Sequence, residues 1–389
     1  PRPPGHFQAG RGFVISSPPA SKACNASAIS SAPSWMRRVQ AAAESVAALV
    51  GAEPEQVIWT SGATESINLA VLGSVRFCLA RRRGGHVITA VTEHSATLAA
   101  CRQLEREGAT VTWLQPGPDG CIHPDQVQSA LCDSTVLVSL MHVNNETGVI
   151  NPIAGIAAVL RGHPALFHVD AAQSAGSQPI DVGIGIDLLS LSAHKFHGPA
   201  GVGALVRRRR PALHLQPLVF GGDQQGGLRP GTLAVHQVVG MGVAARLAAL
   251  HRESERARLM ALRDRCIARL EAIGGVLVHG REQAAPHIVN VSFIGVHGDA
   301  LADALPGVAF SQGSACHARD GRPSHVLKAL GLPDGLALAS LRLSFSRLTR
   351  DGDVTEAVSR IEAAVAGLRR QSPVWRAHQA GAELQALYR

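Results

Sequence analysis

Residues 186–199 read Ile-Asp-Leu-Leu-Ser-Leu-Ser-Ala-His-Lys-Phe-His-Gly-Pro. The first part is an apolar run of strand length, and Phe196-His197-Gly198-Pro199 ends it with a sharp turn. Lys195 falls at the junction. It is one of only three lysines, with Lys22 and Lys328, in a chain that otherwise uses arginine. A lysine closing a buried strand has its charged form disfavoured by desolvation, which suits it to Schiff-base formation with a carbonyl. A solvated lysine at a strand end is the competing structural reading.

Working outward from this strand, helical periodicity alternates with short apolar or β-branched runs from Ser34 onward, the pattern of an α/β domain with a largely parallel sheet. Helices are expected near 35–50, 64–83, 97–107, 123–132 and 152–161. Strands are expected at 57–59, 86–91, 110–114, 135–143, 166–169, 188–191 and 203–206. Ligands in such sheets bind beyond the carboxyl ends of the strands, where the chemically interesting residues of this chain fall. After Thr232 an Ala- and Arg-rich helical stretch reaches about Ile273, and strands at 288–294 and 340–345 with helices at 297–304 and 351–369 follow. The expected organisation is an irregular or altered N-terminal segment over 1–34, a large domain over 35–245 and a smaller α+β domain over 246–389.

Composition narrows the function. With 389 residues, nearly half of them apolar, the chain can bury two substantial cores. The net charge of +8 comes mostly from dispersed arginines, apart from blocks at Arg207–Arg210 and Arg81–Arg83, and aromatic residues make up 4%. Basic residues without aromatic platforms give little support to nucleic-acid binding. Seven cysteines, with no Cys-x-x-Cys pair, argue against a zinc site or a disulfide framework and favour a reducing compartment. No apolar stretch approaches the roughly 20 residues that span a bilayer. The expectation is a cytoplasmic protein without a metal, nucleic-acid or membrane partner. Residues 1–34 begin with Pro1, contain no acidic residue and are expected to be an incomplete or altered start.

Four further positions carry chemistry. Thr60-Ser61-Gly62-Ala63-Thr64-Glu65-Ser66 follows a strand and opens a helix, so its N–H groups and hydroxyls can hold a phosphate, although a plain capping segment has the same composition. Asp170 closes a strand and can pair with a protonated pyridine nitrogen, or simply cap a helix. His94 lies just past another strand, placed to stack on a ring or move protons. Cys316 stands in Ser311-Gln312-Gly313-Ser314-Ala315-Cys316-His317, a small-residue loop beside histidine and arginines that favours a thiolate. Most other cysteines lie in helical or apolar stretches and are expected to be inert. With Lys195, the phosphate cup, Asp170 and His94 are the parts needed to hold pyridoxal 5′-phosphate.

Their order also resembles a known family. Gly62-Ala63-Thr64-Glu65-Ser66-Ile67-Asn68, Glu93-His94, Asn144-Asn145-Glu146-Thr147-Gly148, His168-Val169-Asp170-Ala171-Ala172-Gln173, Ser192-Ala193-His194-Lys195 and Arg229-Pro230-Gly231-Thr232 are similar to the motifs of the NifS/IscS-type cysteine desulfurases. These are class V aminotransferase-group enzymes with the PLP-dependent transferase fold, fold type I. The resemblance, from about Asn25 to the C-terminus, implies a large domain with a mostly parallel seven-stranded sheet. It implies that Lys195 binds pyridoxal phosphate covalently, Asp170 pairs with the ring nitrogen, Gln173 bonds the ring oxygen and His94 stacks on the ring. Ala63 and Thr64, with Ser192 and His194, would hold the phosphate, joined by Thr232 from the other subunit of a homodimer. Asn145 and Arg342 would bind the substrate carboxylate.

The implied reaction converts L-cysteine to L-alanine, with the Cys316 thiolate taking the sulfur as a persulfide and passing it to an acceptor. Pro323-Ser324-His325-Val326-Leu327 completes a segment resembling the family's nucleophile loop. Gln371-Ser372-Pro373-Val374-Trp375 resembles the tail of the IscS branch, which implies contact with an iron–sulfur scaffold protein and a part in cluster assembly. The family's Asn/Ala-Ala-Thr-Thr and Gly-Asn-Pro-Ser-Ser elements are not intact near the N-terminus, a loss expected to weaken substrate binding, dimer packing or folding. A selenocysteine lyase, a class V aminotransferase and a non-catalytic interaction protein are the alternative readings.

Overall fold

A computed structural model describes residues 33–211, 213–311 and 322–388. Cys316 and the N-terminal elements discussed above lie outside the described residues.

Seven strands form the main sheet: β1 (Val57–Thr60), β2 (His86–Ala90), β3 (Thr110–Leu114), β4 (Thr135–Met141), β5 (Leu166–Asp170), β6 (Leu188–Ser192) and β7 (Gly203–Arg207), in the order β1-β7-β6-β5-β4-β2-β3. The five from β3 to β6 are parallel, and β7 runs antiparallel to both β6 and β1. The sheet is therefore mostly parallel, as expected. β2, β4, β5 and β6 are buried along their whole length, which explains their unbroken apolar texture: helices cover both faces.

On one face pack α2 (Ala63–Ala80) and α3 (Ser95–Arg106), through Ile67, Leu69, Val71, Ala100 and Leu104. On the other lie α1 (Ser34–Leu49), α4 (Pro124–Ala130), α5 (Ile153–Val159) and the start of α6 (Val235–Ala272). A Cβ on Gly242 would come within 2.5 Å of the Ala42 backbone. The absence of a side chain there lets α6 approach α1 closely.

The 38-residue α6 serves two cores. Val238, Met241 and Ala245 pack under the main sheet, whereas Leu259, Leu262, Ile267 and Leu270 enter a separate cluster. That cluster covers a three-stranded antiparallel sheet of β8 (Val276–His279), β9 (Ile288–Phe293) and β10 (Ser340–Ser344), in the order β10-β9-β8. Phe293 and Leu341 are fully buried in it, each contributing roughly 1.5–3 kcal/mol. Between β9 and β10 come α7 (Gly298–Asp303), α8 (His325–Ala329) and α9 (Asp334–Leu338). After β10, α10 (Asp351–Arg369), α11 (Pro373–Gln379) and α12 (Leu384–Leu387) close the chain. Among the described residues, no helix is long and apolar enough to cross a membrane.

Candidate active site

The carboxyl ends of β5 and β6 form the floor. Asp170, 6% exposed, lies in register with Met141 on one side and Ser190 on the other. Its Oδ1 accepts the Ala172 N–H at 2.9 Å. Burial pushes this carboxyl up to about 6, against the opposing pull of the Ala172 hydrogen bond and the Lys195 charge. Beneath it, His168 bridges Ser139 and Ser190, 2.8 Å from each hydroxyl, and desolvation lowers its ring to about 3. This histidine is neutral and structural.

Lys195 is not on the strand itself. After Ser192 the chain makes one 3-10 turn, Ala193–Phe196, which His197 ends in the left-handed region at φ 68°. The turn lifts Lys195 off the buried sheet, and it is exposed, as is His194. The burial expected from the apolar run is thus corrected: the run stops at Ser192, three residues before the lysine. Lys195 lines a cavity of about 700 Å³ together with His194, Gln173, Asn145, His287 and Arg342.

A tight backbone cradle stands beside this turn. A Cβ on Gly203 would lie 2.4 Å from the Leu191 carbonyl oxygen and 2.6 Å from the Gly62 Cα. Only glycine lets β7 pass so close to the Gly62 turn. Gly62 precedes α2 and offers no side-chain cap, so the first N–H groups of the helix, including those of Ala63 and Thr64, face outward without intrahelical partners. The Ser192 hydroxyl is 4.0 Å from where a Gly62 Cβ would stand and 3.0 Å from His194 Nδ1. Thr64 is exposed at the cradle's mouth. Arg229 reaches the same helix, donating from Nε to Glu65 at 2.8 Å, while Glu65 accepts the Ser61 N–H at 2.7 Å. Thr232, three residues further on, is exposed and is not among the residues lining the cavity of its own chain.

Asn145 and Arg342 line the same cavity, and His94, which is not among its lining residues, stands near enough for the Lys195 charge to act on it. His94 caps α3, its Nδ1 accepting the Ala96 N–H at 3.2 Å, which leaves Nε2 to carry the proton of the neutral ring. Burial first, then the charges of Lys195 and His325, lower its pKa. Arg342 donates from Nη1 to the Asn145 carbonyl at 2.8 Å, and its buried Nε has no partner among the described residues. Its backbone exchanges two hydrogen bonds with Ser311, of 2.8 and 3.1 Å, at the near end of the segment that holds Cys316.

Several neighbours have no role assigned from the sequence, although Glu93, Glu146, Ser324 and His325 stand inside the family-like motifs. His287 shares the cavity with Lys195 and Arg342, and desolvation followed by those two charges lowers it to about 4. Glu93 is buried beside His94, accepting the Met141 N–H at 2.8 Å, and burial pushes its carboxyl well up. His325 bonds the Glu93 carbonyl, and Ser324 bonds Glu146. A histidine or carboxylate next to a motif residue was the available clue.

The cysteines divide as expected with one exception. Burial raises Cys101, Cys121 and Cys266 to about 12 and Cys78 by less. Cys132 instead is exposed at the opposite edge of the sheet, and the hydroxyls of Ser134 and Thr135 lower its pKa. Among the described residues, no group of three or more His, Cys, Asp or Glu is placed to hold a metal ion.

Residues 21–356 match the aminotransferase class-V family. The chain is 47% identical over 348 residues to the cysteine desulfurase IscS of Pseudomonas aeruginosa, covering 89% of this chain and 86% of that protein. It is 46% identical over 351 residues to the Vibrio vulnificus IscS, covering 90% and 86%. Among solved structures it is similar to DndA from Streptomyces lividans, at 40% identity and a TM-score of 0.69, with 80% of this chain and 88% of that one covered. A structure of SspA in complex with cysteine is 36% identical, with a TM-score of 0.71 and coverages of 82% and 90%. The matching family model, the near-half identity over nine-tenths of the chain and the two-sheet architecture agree, and the chain belongs to the class-V aminotransferase family, among its pyridoxal-phosphate-dependent cysteine desulfurases.

Proposed function

We propose that this protein converts L-cysteine to L-alanine and takes the sulfur onto Cys316 as a persulfide. The observation that carries the reading is the meeting of Lys195, His194, Gln173, Asn145 and Arg342 around one cavity, with Asp170 near enough to feel the Lys195 charge and the Gly62 cradle beside Ser192, which bonds His194. This set fits pyridoxal phosphate. The unpaired N–H groups opening α2, with Ser192 and His194, suit a phosphate, and the Gly62–Gly203 pinch leaves no side chain in the way. The buried carboxyl of Asp170 suits a protonated ring nitrogen, whose charge would favour the ionised form that burial alone opposes.

When bound, pyridoxal phosphate supplies an electron sink that weakens the substrate carbon–sulfur bond. Lys195 would hold it covalently, Gln173 would bond its ring oxygen, and Ala63, Thr64, Ser192 and His194 would secure its phosphate. Arg342 and Asn145 orient the substrate carboxylate, the guanidinium being fixed by its bond to the Asn145 carbonyl. His94, kept neutral by burial and by neighbouring positive charge, presents Nε2–H for proton transfer. As the carbon–sulfur bond breaks, a sulfur–sulfur bond forms with Cys316 and the substrate carbon gains a proton, so L-cysteine and one thiol become L-alanine and one persulfide. The persulfide then serves a sulfur acceptor, for which iron–sulfur cluster assembly or thio-modification is the natural use, and a reducing cytoplasm is the fitting compartment. The working unit is a homodimer in which Thr232 of a second copy completes the phosphate cup.

The test is L-alanine formation from L-cysteine with a thiol reductant, comparing the cofactor-loaded protein with Cys316→Ala. Alanine from the parent but not from the variant supports the assignment. Equal alanine from both would remove Cys316 from the reaction, and none from either would point to another substrate, with L-selenocysteine the next to try.

A further inference from the structure

Beside the cavity, the three elements that carry Asn145, His287 and Arg342 are tied to one another. Ala285 donates its N–H to the Gly148 carbonyl at 2.8 Å, and Asn290 donates from Nδ2 to the Glu146 carbonyl at 3.1 Å. These bonds hold the start of β9, just before which His287 stands, against the loop that carries Asn145. On its other side the His287 carbonyl accepts the Phe345 N–H at 2.9 Å, next to the end of β10, the strand of Arg342. The bond from Arg342 Nη1 to the Asn145 carbonyl closes the triangle. All three residues line the cavity that Lys195 also lines.

Arg342 does not meet a carboxylate with a wholly free fork. Its Nη1 is engaged by the Asn145 carbonyl, and its Nε is enclosed without a partner among the described residues. A carboxylate has two oxygens, each able to accept more than one hydrogen bond, so a further donor close by strengthens its capture. His287 is placed to be that donor. Its Nδ1 is enclosed and has no partner among the described residues, so a proton there would be left unpaired. The proton of the neutral ring is assigned to Nε2 on this ground, and the distal edge that bears Nε2 is what remains of the half-buried ring to face the cavity. Neutrality matters as well. Burial and the charges of Lys195 and Arg342 hold this imidazole well below its ordinary range, so it offers a donor without setting a third positive charge beside Lys195.

We propose that His287 is a substrate-binding residue, donating from Nε2 to the carboxylate of the amino acid that Arg342 and Asn145 hold. This role rests on the desulfurase reading and adds a specificity to it. His287 favours thiols that carry a carboxylate, so it separates L-cysteine from cysteamine, which is the same molecule without that group.

The experiment compares the cofactor-loaded parent with His287→Phe, which keeps a ring and loses the donor, and His287→Gln, which keeps an N–H at similar reach. Each is titrated with L-cysteine, L-alanine and cysteamine, and the midpoint of the cofactor absorbance change is read. His287→Phe is expected to raise the midpoints for L-cysteine and L-alanine alike by roughly 10-fold, the worth of one hydrogen bond to a charged group, and to leave cysteamine within about twofold. His287→Gln is expected to stay within about threefold of the parent for all three. If the phenylalanine variant does not load with cofactor, the smaller His287→Leu takes its place. An L-cysteine midpoint unmoved by loss of the donor would overturn the role. Equal weakening of all three ligands would also overturn it, by assigning His287 to the cofactor or the fold, and so would weakening of L-cysteine and cysteamine alone, which places the contact at sulfur. A glutamine variant as weak as the phenylalanine one would overturn the donor. A parent that binds L-cysteine but forms no alanine would defeat the desulfurase reading, while the midpoints would still decide the role of His287.

Discussion

Burial lifts Asp170 from the ordinary 3.8 to about 6, so in the cofactor-free chain this residue works against folding at neutral pH. The sign follows from linkage. Between those two values the folded chain holds a proton that the unfolded chain has released, so this contribution to stability is complete below about pH 4 and is lost as pH rises through 6. The displacement amounts to about 3 kcal/mol. Asp170→Asn removes the titration while keeping an oxygen that can accept the Ala172 N–H. The cofactor-free variant is therefore expected to unfold at higher urea than the parent at pH 8, by up to about 3 kcal/mol, with the gap narrowing toward zero near pH 3.5. Alanine formation by the loaded variant is expected to fall by roughly 10- to 100-fold, the worth of a charged hydrogen bond. A variant no more stable than the parent at pH 8 would show that neighbours, Lys195 among them, already compensate the buried carboxylate.

Strand β7 reaches the cradle because Gly203 has no side chain. The atoms that a Cβ would strike are backbone, the Leu191 carbonyl oxygen and the Gly62 Cα, and neither can rotate away. Gly203→Ala is therefore expected to move the Gly62 turn away from β7 and open the phosphate cradle. The predicted outcome is a folded chain with a circular-dichroism spectrum like the parent's but roughly 10-fold weaker retention of pyridoxal phosphate, read by equilibrium dialysis. Unchanged retention would place the phosphate elsewhere. The strand itself was legible in the sequence, as were the other six, because runs of four to seven apolar residues between turn signals have few other readings. β8 was not, since four half-buried residues behind Gly274-Gly275 carry too little pattern. Lys195, Asp170, Asn145 and Arg342 were readable from their places at strand ends and in family-like motifs. The exposure of Lys195 was hidden by a single 3-10 turn. The hydrogen bonds from Asn144 to the Thr92 carbonyl, from Ser324 to Glu146 and from His325 to the Glu93 carbonyl were invisible for another reason: they join residues 52, 178 and 232 positions apart, where no periodicity reaches.

A single copy of the molecule leaves Thr232, proposed above to complete a second copy's phosphate cup, facing outward. Val219 and Phe220 are 55% and 85% exposed at the head of the segment leading to Thr232, which Arg229 tethers to the cradle helix through Glu65. Apolar side chains displayed beside a polar motif are what a self-complementary interface presents. In the proposed dimer, each cavity combines Lys195 of one copy with Thr232 of the other. Lys195→Ala and Thr232→Ala would then each impair every site of their own homodimers, by different routes. In a mixed dimer, one cavity receives both defects and the other receives neither. Unfolding the two variants together and refolding them in equal amounts should give roughly half mixed dimers, and so about a quarter of the sites intact. Alanine formation in the refolded mixture should rise toward that fraction of the parental rate, well above the average of the two variants refolded separately. Simple mixing of the two folded variants, without unfolding, should give little recovery at first and more as the homodimers exchange subunits. A mixture that never exceeds the average would place Thr232 in the service of its own chain and remove the shared site.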